Sequence, residues 1–131
     1  MWTDNYIGLP FVPDGRDRNG LDCWGLVCLV YKEQLGIELP LCKGIFVNQS
    51  IESLKKAARA YNIGKEAWQK VSTPTPFDVV MLRTGKYIWH VGVIIDTRRM
   101  LHILSGINSM VEEYTGMLWK DRVEEYRHYA R

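Results

Sequence analysis

Apolar positions along the chain fall into two regimes. After Asp22 the residues Cys23, Trp24, Leu26, Val27, Cys28, Leu29, Val30 and Tyr31 run almost without interruption, and the first charge in the run is Lys32. A run of that length predicts a helix buried on nearly every side, with Asp22 as its N-cap and Gly36 just past its end. From Phe77 onward the pattern changes. Short segments rich in Val, Ile, Leu and aromatics alternate with turn residues, which predicts strands over 78–82, 89–95, 100–104 and 110–114. The connections, Asp96-Thr97-Arg98-Arg99 and Ser105–Ser109, are short, and short connections between consecutive strands favour an antiparallel meander. Residues 123–130 read as an edge strand or a helix, with the strand favoured. Helix first and strands afterward predict an α+β domain, with N-terminal helices packed on an antiparallel β-sheet.

Two stretches stand outside these regimes. Residues 6–19 are punctuated by Gly8, Pro10, Pro13, Asp14 and Gly15 and read as loop and turns. Residues 43–70 place Ile51, Leu54, Ala57, Ala58 and Tyr61 at helical spacing, with a break at Gly64. The same stretch carries Lys43, Lys55, Lys56, Arg59, Lys65 and Lys70 against Glu52 and Glu66. Such a segment is a solvated helical face or a basic rim that attracts an anionic substrate.

Composition narrows the function classes. A chain of 131 residues that is 47% hydrophobic has the size and core of one domain, here 1–131. Its 17 basic and 15 acidic residues leave a net charge of +2, which gives no argument for nucleic acid. Apolar stretches such as Val91–Ile95 are far short of a membrane span. The first twenty residues carry Asp4, Asp14, Arg16, Asp17 and Arg18 and show no apolar signal-peptide core, so no export signal is expected.

The chemistry rests on three cysteines, Cys23, Cys28 and Cys42, and three histidines, His90, His102 and His128. An odd cysteine count is not a complete disulfide set. Cys23 falls at the predicted helix start, where free N–H groups and the partial positive charge favour thiolate over thiol. A histidine beside such a cysteine accepts its proton and later protonates a leaving amine. His90 lies near the start of the second strand and His102 within the third, so His102 is placed to orient His90. Sharing a face requires strand partners whose numbers sum to an even total, as Gly92 with His102 does. A two-residue loop at Thr97-Arg98 would put the histidines on opposite faces; a loop of odd length or a bulge brings them together.

Each of these residues also has a plainer reading. A cysteine in an apolar segment is often inert core, and a strand histidine often bonds only to backbone. Cys28 reads as core, Cys42 as structural or partly exposed, His128 as surface, and Trp24, Trp89 and Trp119 as core or groove wall. No close Cys-x-x-Cys or His-x-x-x-His spacing suggests a metal, and no cofactor is expected.

Several segments together resemble the NlpC-type cell-wall cysteine peptidases, which have a compact papain-like fold. They are Tyr6-Ile7-Gly8-Leu9-Pro10-Phe11, Gly20-Leu21-Asp22-Cys23-Trp24-Gly25-Leu26-Val27, Pro76-Phe77-Asp78-Val79-Val80, His90-Val91-Gly92-Val93 and Leu101-His102. The resemblance covers most of the chain and is weakest over 43–70. It implies Cys23 as nucleophile, His90 as base and His102 as the polar third residue, with the Cys23 N–H contributing to an oxyanion hole. It also implies peptidoglycan stem peptides as substrates, typically cut beside D-glutamate. Gly15-Arg16-Asp17 and Trp24 look most like the tail-associated members of phages and prophages. That branch implies other tail proteins as partners, and a virion tail or host cytoplasm during assembly as the location.

Two departures bear on the substrate groove, for which Asp22, Trp24, Phe11 and Tyr6 are candidates. Phe11 stands where many members carry a tyrosine that lends its hydroxyl near the oxyanion; Tyr6 is the nearest tyrosine in sequence. Trp24 replaces the usual serine after the cysteine, which implies a narrowed or reshaped groove. The alternatives are a tail assembly module that keeps the fold without turnover, and an amidase or acyltransferase using the same Cys–His pair.

Overall fold

The structure is a computed structural model that describes residues 1–42, 67–84 and 87–130. The helix expected over 51–61, and nearly all of the basic segment, lie outside the described residues.

The buried helix forms where the apolar run begins. Helix α1 spans Cys23–Val30, and its N-cap is Asp22, whose side chain accepts the N–H of Gly25. The next turn, Tyr31–Leu35, widens to a π-helix and ends at Gly36, whose φ of 67° is the left-handed conformation a glycine adopts without steric cost. A short 3-10 turn, Trp2–Tyr6, and a small hairpin, β1 (Arg16–Asp17) with β2 (Gly20–Leu21), precede α1.

The sheet contains β3 (Trp68–Val71), β4 (Val79–Thr84), β5 (Tyr87–Ile94), β6 (Arg99–Leu104), β7 (Ile107–Glu113) and β8 (Val123–Tyr129). Its order is β3-β8-β4-β5-β6-β7, and each pairing is antiparallel. The meander from β4 to β7 is as the short connections predicted. The structure departs from expectation in three places. The last strand does not sit at an edge: β8 returns across the sheet to pair with β4 on one side and β3 on the other. β3 itself was not anticipated, because its four residues hold only two apolar positions and its partner lies some sixty residues away. The β6–β7 connection is also shorter than expected: only Ser105 and Gly106 separate the strands.

The two faces of the sheet are covered differently. Val79, Val91, Val93, Leu101 and Ile103 pack with α1 residues such as Leu26, Val27 and Val30 in one apolar core. On the opposite face Val80, Leu82, Ile94 and Met100 pack with Tyr114 and Trp119 from the connection between β7 and β8. The free edge of β7 is covered by the N-terminal segment, through bonds from Gly8 N to the Ser109 carbonyl and from Ser109 N to the Leu9 carbonyl.

Candidate active site

The N-terminus of α1 is held by a buried ion pair. Asp22 is 1% exposed, and its Oδ1 accepts the N–H of Gly25 at 2.8 Å and Arg16 Nη1 at 2.7 Å. Its Oδ2 accepts the N–H of Asp14 at 3.1 Å. Both oxygens are thus committed, and Asp22 acts as cap and anchor rather than groove wall. Gly25 is required here because a Cβ would stand 2.1 Å from the Gly15 carbonyl oxygen, inside any real contact.

Cys23, the first residue of α1, sits where the sheet parts. Strands β5 and β6 pair only at Val93 with Leu101 and Ile94 with Met100. Just beyond that pairing, the N–H groups of Val91 and Trp24 are near enough to the Cys23 sulfur to favour its anion. The helix terminus thereby reaches the His90–Val91 peptide.

The β5–β6 partners sum to 194, an even total; Ile95 continues the ladder by donating its N–H to the Arg99 carbonyl at 2.9 Å, which leaves the odd loop Asp96–Arg98. Asp96 stabilises that turn by accepting the N–H groups of Arg98 and Arg99 at 2.9 and 2.8 Å. The histidines consequently share a face, as the geometric condition requires. His90 Nε2 lies 2.8 Å from His102 Nδ1, and both rings are buried. Gly92 lets β5 pass closely: a Cβ there would meet the Met100 sulfur at 2.9 Å and the Cβ of His102 at 3.5 Å.

Two further residues complete the cluster: Glu112 was not anticipated from the sequence, and Trp119 was read there only as core or groove wall. Glu112 Oε1 lies 2.8 Å from His102 Nε2, and its Oε2 accepts the indole N–H of Trp119 at 3.2 Å. The Trp119 ring stacks on His90 at 5.6 Å and meets His102 edge-on at 5.4 Å, with the Arg122 guanidinium 5.3 Å from the indole centre. Glu112 reaches His102 because of a bulge. Leu104 pairs with Ile107, but His102 pairs with Met110, so β7 carries one extra residue between those points. Without it, strand alternation would turn Glu112 to the other face. Trp119 comes from an irregular connection, which no periodicity marks.

The ionisation of the pair reverses one expectation. Burial, seconded by the Asp22 carboxylate, pushes the Cys23 thiol up to about 12, although the Val91 and Trp24 N–H groups work the other way. Burial and then the neighbouring His102 push His90 down to about 3. His102 is also lowered by burial, which outweighs the opposing pull of Glu112. In the closed site, desolvation therefore outweighs the helix N-terminus, and the resting pair is neutral thiol and neutral imidazole rather than thiolate and imidazolium.

The remaining candidates are placed as follows. Phe11 bridges Leu21, two residues before Cys23, and is partly buried against the α1-side core. Trp24 donates its indole N–H to the Pro40 carbonyl at 2.8 Å and meets Trp68 edge-on at 6.4 Å. Tyr6 is not near Cys23: its hydroxyl bonds Glu33 at 2.8 Å and Gln34 at 3.0 Å, beyond the far end of α1. Cys28 is buried core and Cys42 half-buried, and all three cysteines are free thiols. His128 is not a free surface residue; its Nδ1 lies 2.6 Å from Oδ1 of the buried Asp78. Among the described residues no group of three or more His, Cys, Asp or Glu is arranged to hold a metal ion. No described helix is long and apolar enough to cross a membrane.

Known proteins share this arrangement of helix and sheet. A NlpC/P60 family protein from Bacillus cereus superposes with a TM-score of 0.69 at 16% identity, over 98% of this chain and 38% of that one. The NlpC/p60 domain of the peptidoglycan hydrolase SagA superposes with a TM-score of 0.64 at 17% identity, over 98% of this chain and 92% of the domain. In sequence, the chain is 25% identical over 123 residues to the murein DD-endopeptidase MepS/murein LD-carboxypeptidase of Escherichia coli K12. That alignment covers 94% of this chain and 57% of the relative's length. The NlpC/P60 family profile matches residues 8–128, a span that includes Cys23, both buried histidines and the strands that bring them together; the chain belongs to the NlpC/P60 family.

Proposed function

We propose that this domain is a cysteine peptidase that hydrolyses peptide bonds in peptidoglycan stems through an acyl-enzyme on Cys23. The observation that carries the reading is the buried His90–His102 pair, 2.8 Å apart, with the N–H of Val91, the residue after His90, turned toward the Cys23 sulfur. His90 uses Nε2 toward His102, which leaves Nδ1 as the nitrogen available to the thiol. Family membership and the likeness to the murein endopeptidase support the substrate class.

The steps follow from the neutral resting pair. As Cys23 Sγ attacks the scissile carbonyl carbon, its proton passes to His90 Nδ1. The carbonyl oxygen becomes an oxyanion, and the Cys23 N–H at the start of α1 is the donor aimed at it. The tetrahedral carbon then expels the amine, which takes the proton from His90, and a thioester remains. Water attacks the thioester with His90 as base, releasing the carboxylic acid and restoring the thiol. Proton transfer concerted with attack removes the need for a preformed thiolate in a dry site.

The setting we propose is a phage or prophage tail, where local wall cleavage would assist DNA entry. The Gly15-Arg16-Asp17 segment supports this branch, and Arg16 is the residue that pairs with Asp22 at the cap.

The test is cleavage of defined stem peptides by purified protein. The wild type should release one new amine and one new acid per event, and Cys23→Ala should release none while keeping its melting temperature. Equal cleavage by both proteins would remove Cys23 from the chemistry. A folded wild type that cleaves no stem peptide would instead favour the tail assembly module.

A further inference from the structure

The donors and acceptors of the buried cluster can be ordered from one end to the other. An ionised Glu112 carboxylate only accepts, so His102 Nε2, 2.8 Å away, carries a hydrogen and donates it. Neutral His102 then has a lone pair on Nδ1. That lone pair accepts from His90 Nε2 at 2.8 Å, so His90 also carries its hydrogen on Nε2. The lone pair of His90 is therefore on Nδ1, the nitrogen turned away from His102. Both rings are buried, at 4% and 0% exposure, so water is not at hand to replace either partner.

We propose that Glu112 is a positioning residue for the Cys23–His90 reaction: it fixes the tautomer of His102 and, through it, that of His90, without touching the substrate. The inference rests on the reading of Cys23 and His90 given under Proposed function. Glu112 also supplies a negative charge at the end of the chain, which favours the proton that His90 takes up during attack.

Trp119 makes the carboxylate hard to replace. Its indole N–H is a donor that cannot accept, and it holds the second oxygen of Glu112 at 3.2 Å. A glutamine has one acceptor oxygen for two donors. The arrangement that satisfies every group gives that oxygen to Trp119 and the amide NH₂ to His102. His102 then moves its hydrogen to Nδ1, His90 follows, and His90 presents N–H rather than a lone pair to Cys23.

The experiment is nitrogen-15 NMR of the histidine rings in the resting protein, combined with steady-state kinetics. Wild type should show both buried histidines as Nε2–H. Glu112→Gln should show both as Nδ1–H, with kcat reduced at least about a hundredfold and KM little changed. Trp119→Phe keeps the carboxylate and should keep the wild-type tautomers. In Glu112→Gln/Trp119→Phe the competing donor is gone, so the amide oxygen can face His102; the Nε2–H form and part of kcat should return. Wild-type tautomers and kcat in Glu112→Gln would overturn the assignment, as would a double variant with the tautomers of Glu112→Gln. The NMR result needs no substrate, so it stands apart from the stem-peptide test: activity surviving in Cys23→Ala would end the peptidase reading without deciding the tautomers.

Discussion

The two faces of the sheet are built on different terms. Facing α1, Val91, Val93, Leu101 and Ile103 bury apolar side chains against a nearly all-apolar helix. One residue out of phase on the same strands, His90 and His102 bury imidazoles that are tied to Glu112 and Trp119. On the first face size and shape decide stability, and a lost methylene is a local cost. On the second each polar group depends on its neighbour's donor or acceptor state, so one change travels along the chain. The fold keeps the two apart by strand alternation alone, and Cys23 stands at the N-terminus of α1, which packs on β5 and β6.

That contrast can be broken by substitution. The largest expected effect is His90→Ala, which should lower kcat/KM on stem peptides by about a thousandfold or more, since it removes the proton acceptor. An effect below tenfold would place the base elsewhere. Next is Ile103→Ala, beside His102 in sequence but on the α1 face. It should cost about 3 kcal/mol of unfolding free energy in denaturant titration and leave activity per folded molecule within about tenfold. If activity falls as far as in His90→Ala, the two faces are not independent.

The pH dependence of stability sharpens the same comparison. His90 is depressed to about 3 by burial and His102. An unfolded chain takes up that proton near 6.5 while the folded chain does not, so the folded state is fully favoured above about 6.5 and loses ground as pH falls toward 3. Between pH 7 and pH 5 the loss should be about 2 kcal/mol, measured by denaturant titration. Most of this slope should vanish in His90→Gln and persist in Ile103→Ala. On the alkaline side the sign reverses. Cys23 and Cys28 are both raised to about 12, so stability should fall as pH rises above 9, and less steeply in Cys23→Ala. The smallest effect is Trp119→Phe, which keeps the stacking ring and loses one hydrogen bond; a cost of about 1 kcal/mol is expected by thermal melts.

Much of the site was legible in the sequence because its signals are local. Asp22 before an apolar run marked a helix start, and the helix begins at Cys23. His90 and His102 share a face through strand alternation and an odd loop, and Asp96 provides the turn. Tyr6 was misplaced because nearness in sequence says nothing about which end of α1 a hydroxyl will reach, and Glu33 and Gln34 hold it beyond the far end.

The sequence by itself determined the helix start, the meander and the shared face of His90 and His102, since capping, periodicity and hairpin parity act over a few neighbours. Only the tertiary structure decided the rest. The internal place of β8 depends on pairing with strands far away in sequence. Glu112 joins the histidines only because one extra residue in β7 turns it to their face. The resting proton stays on Cys23 because burial, which exists only once α1 is packed on the sheet, outweighs the charge of the helix terminus that the sequence revealed.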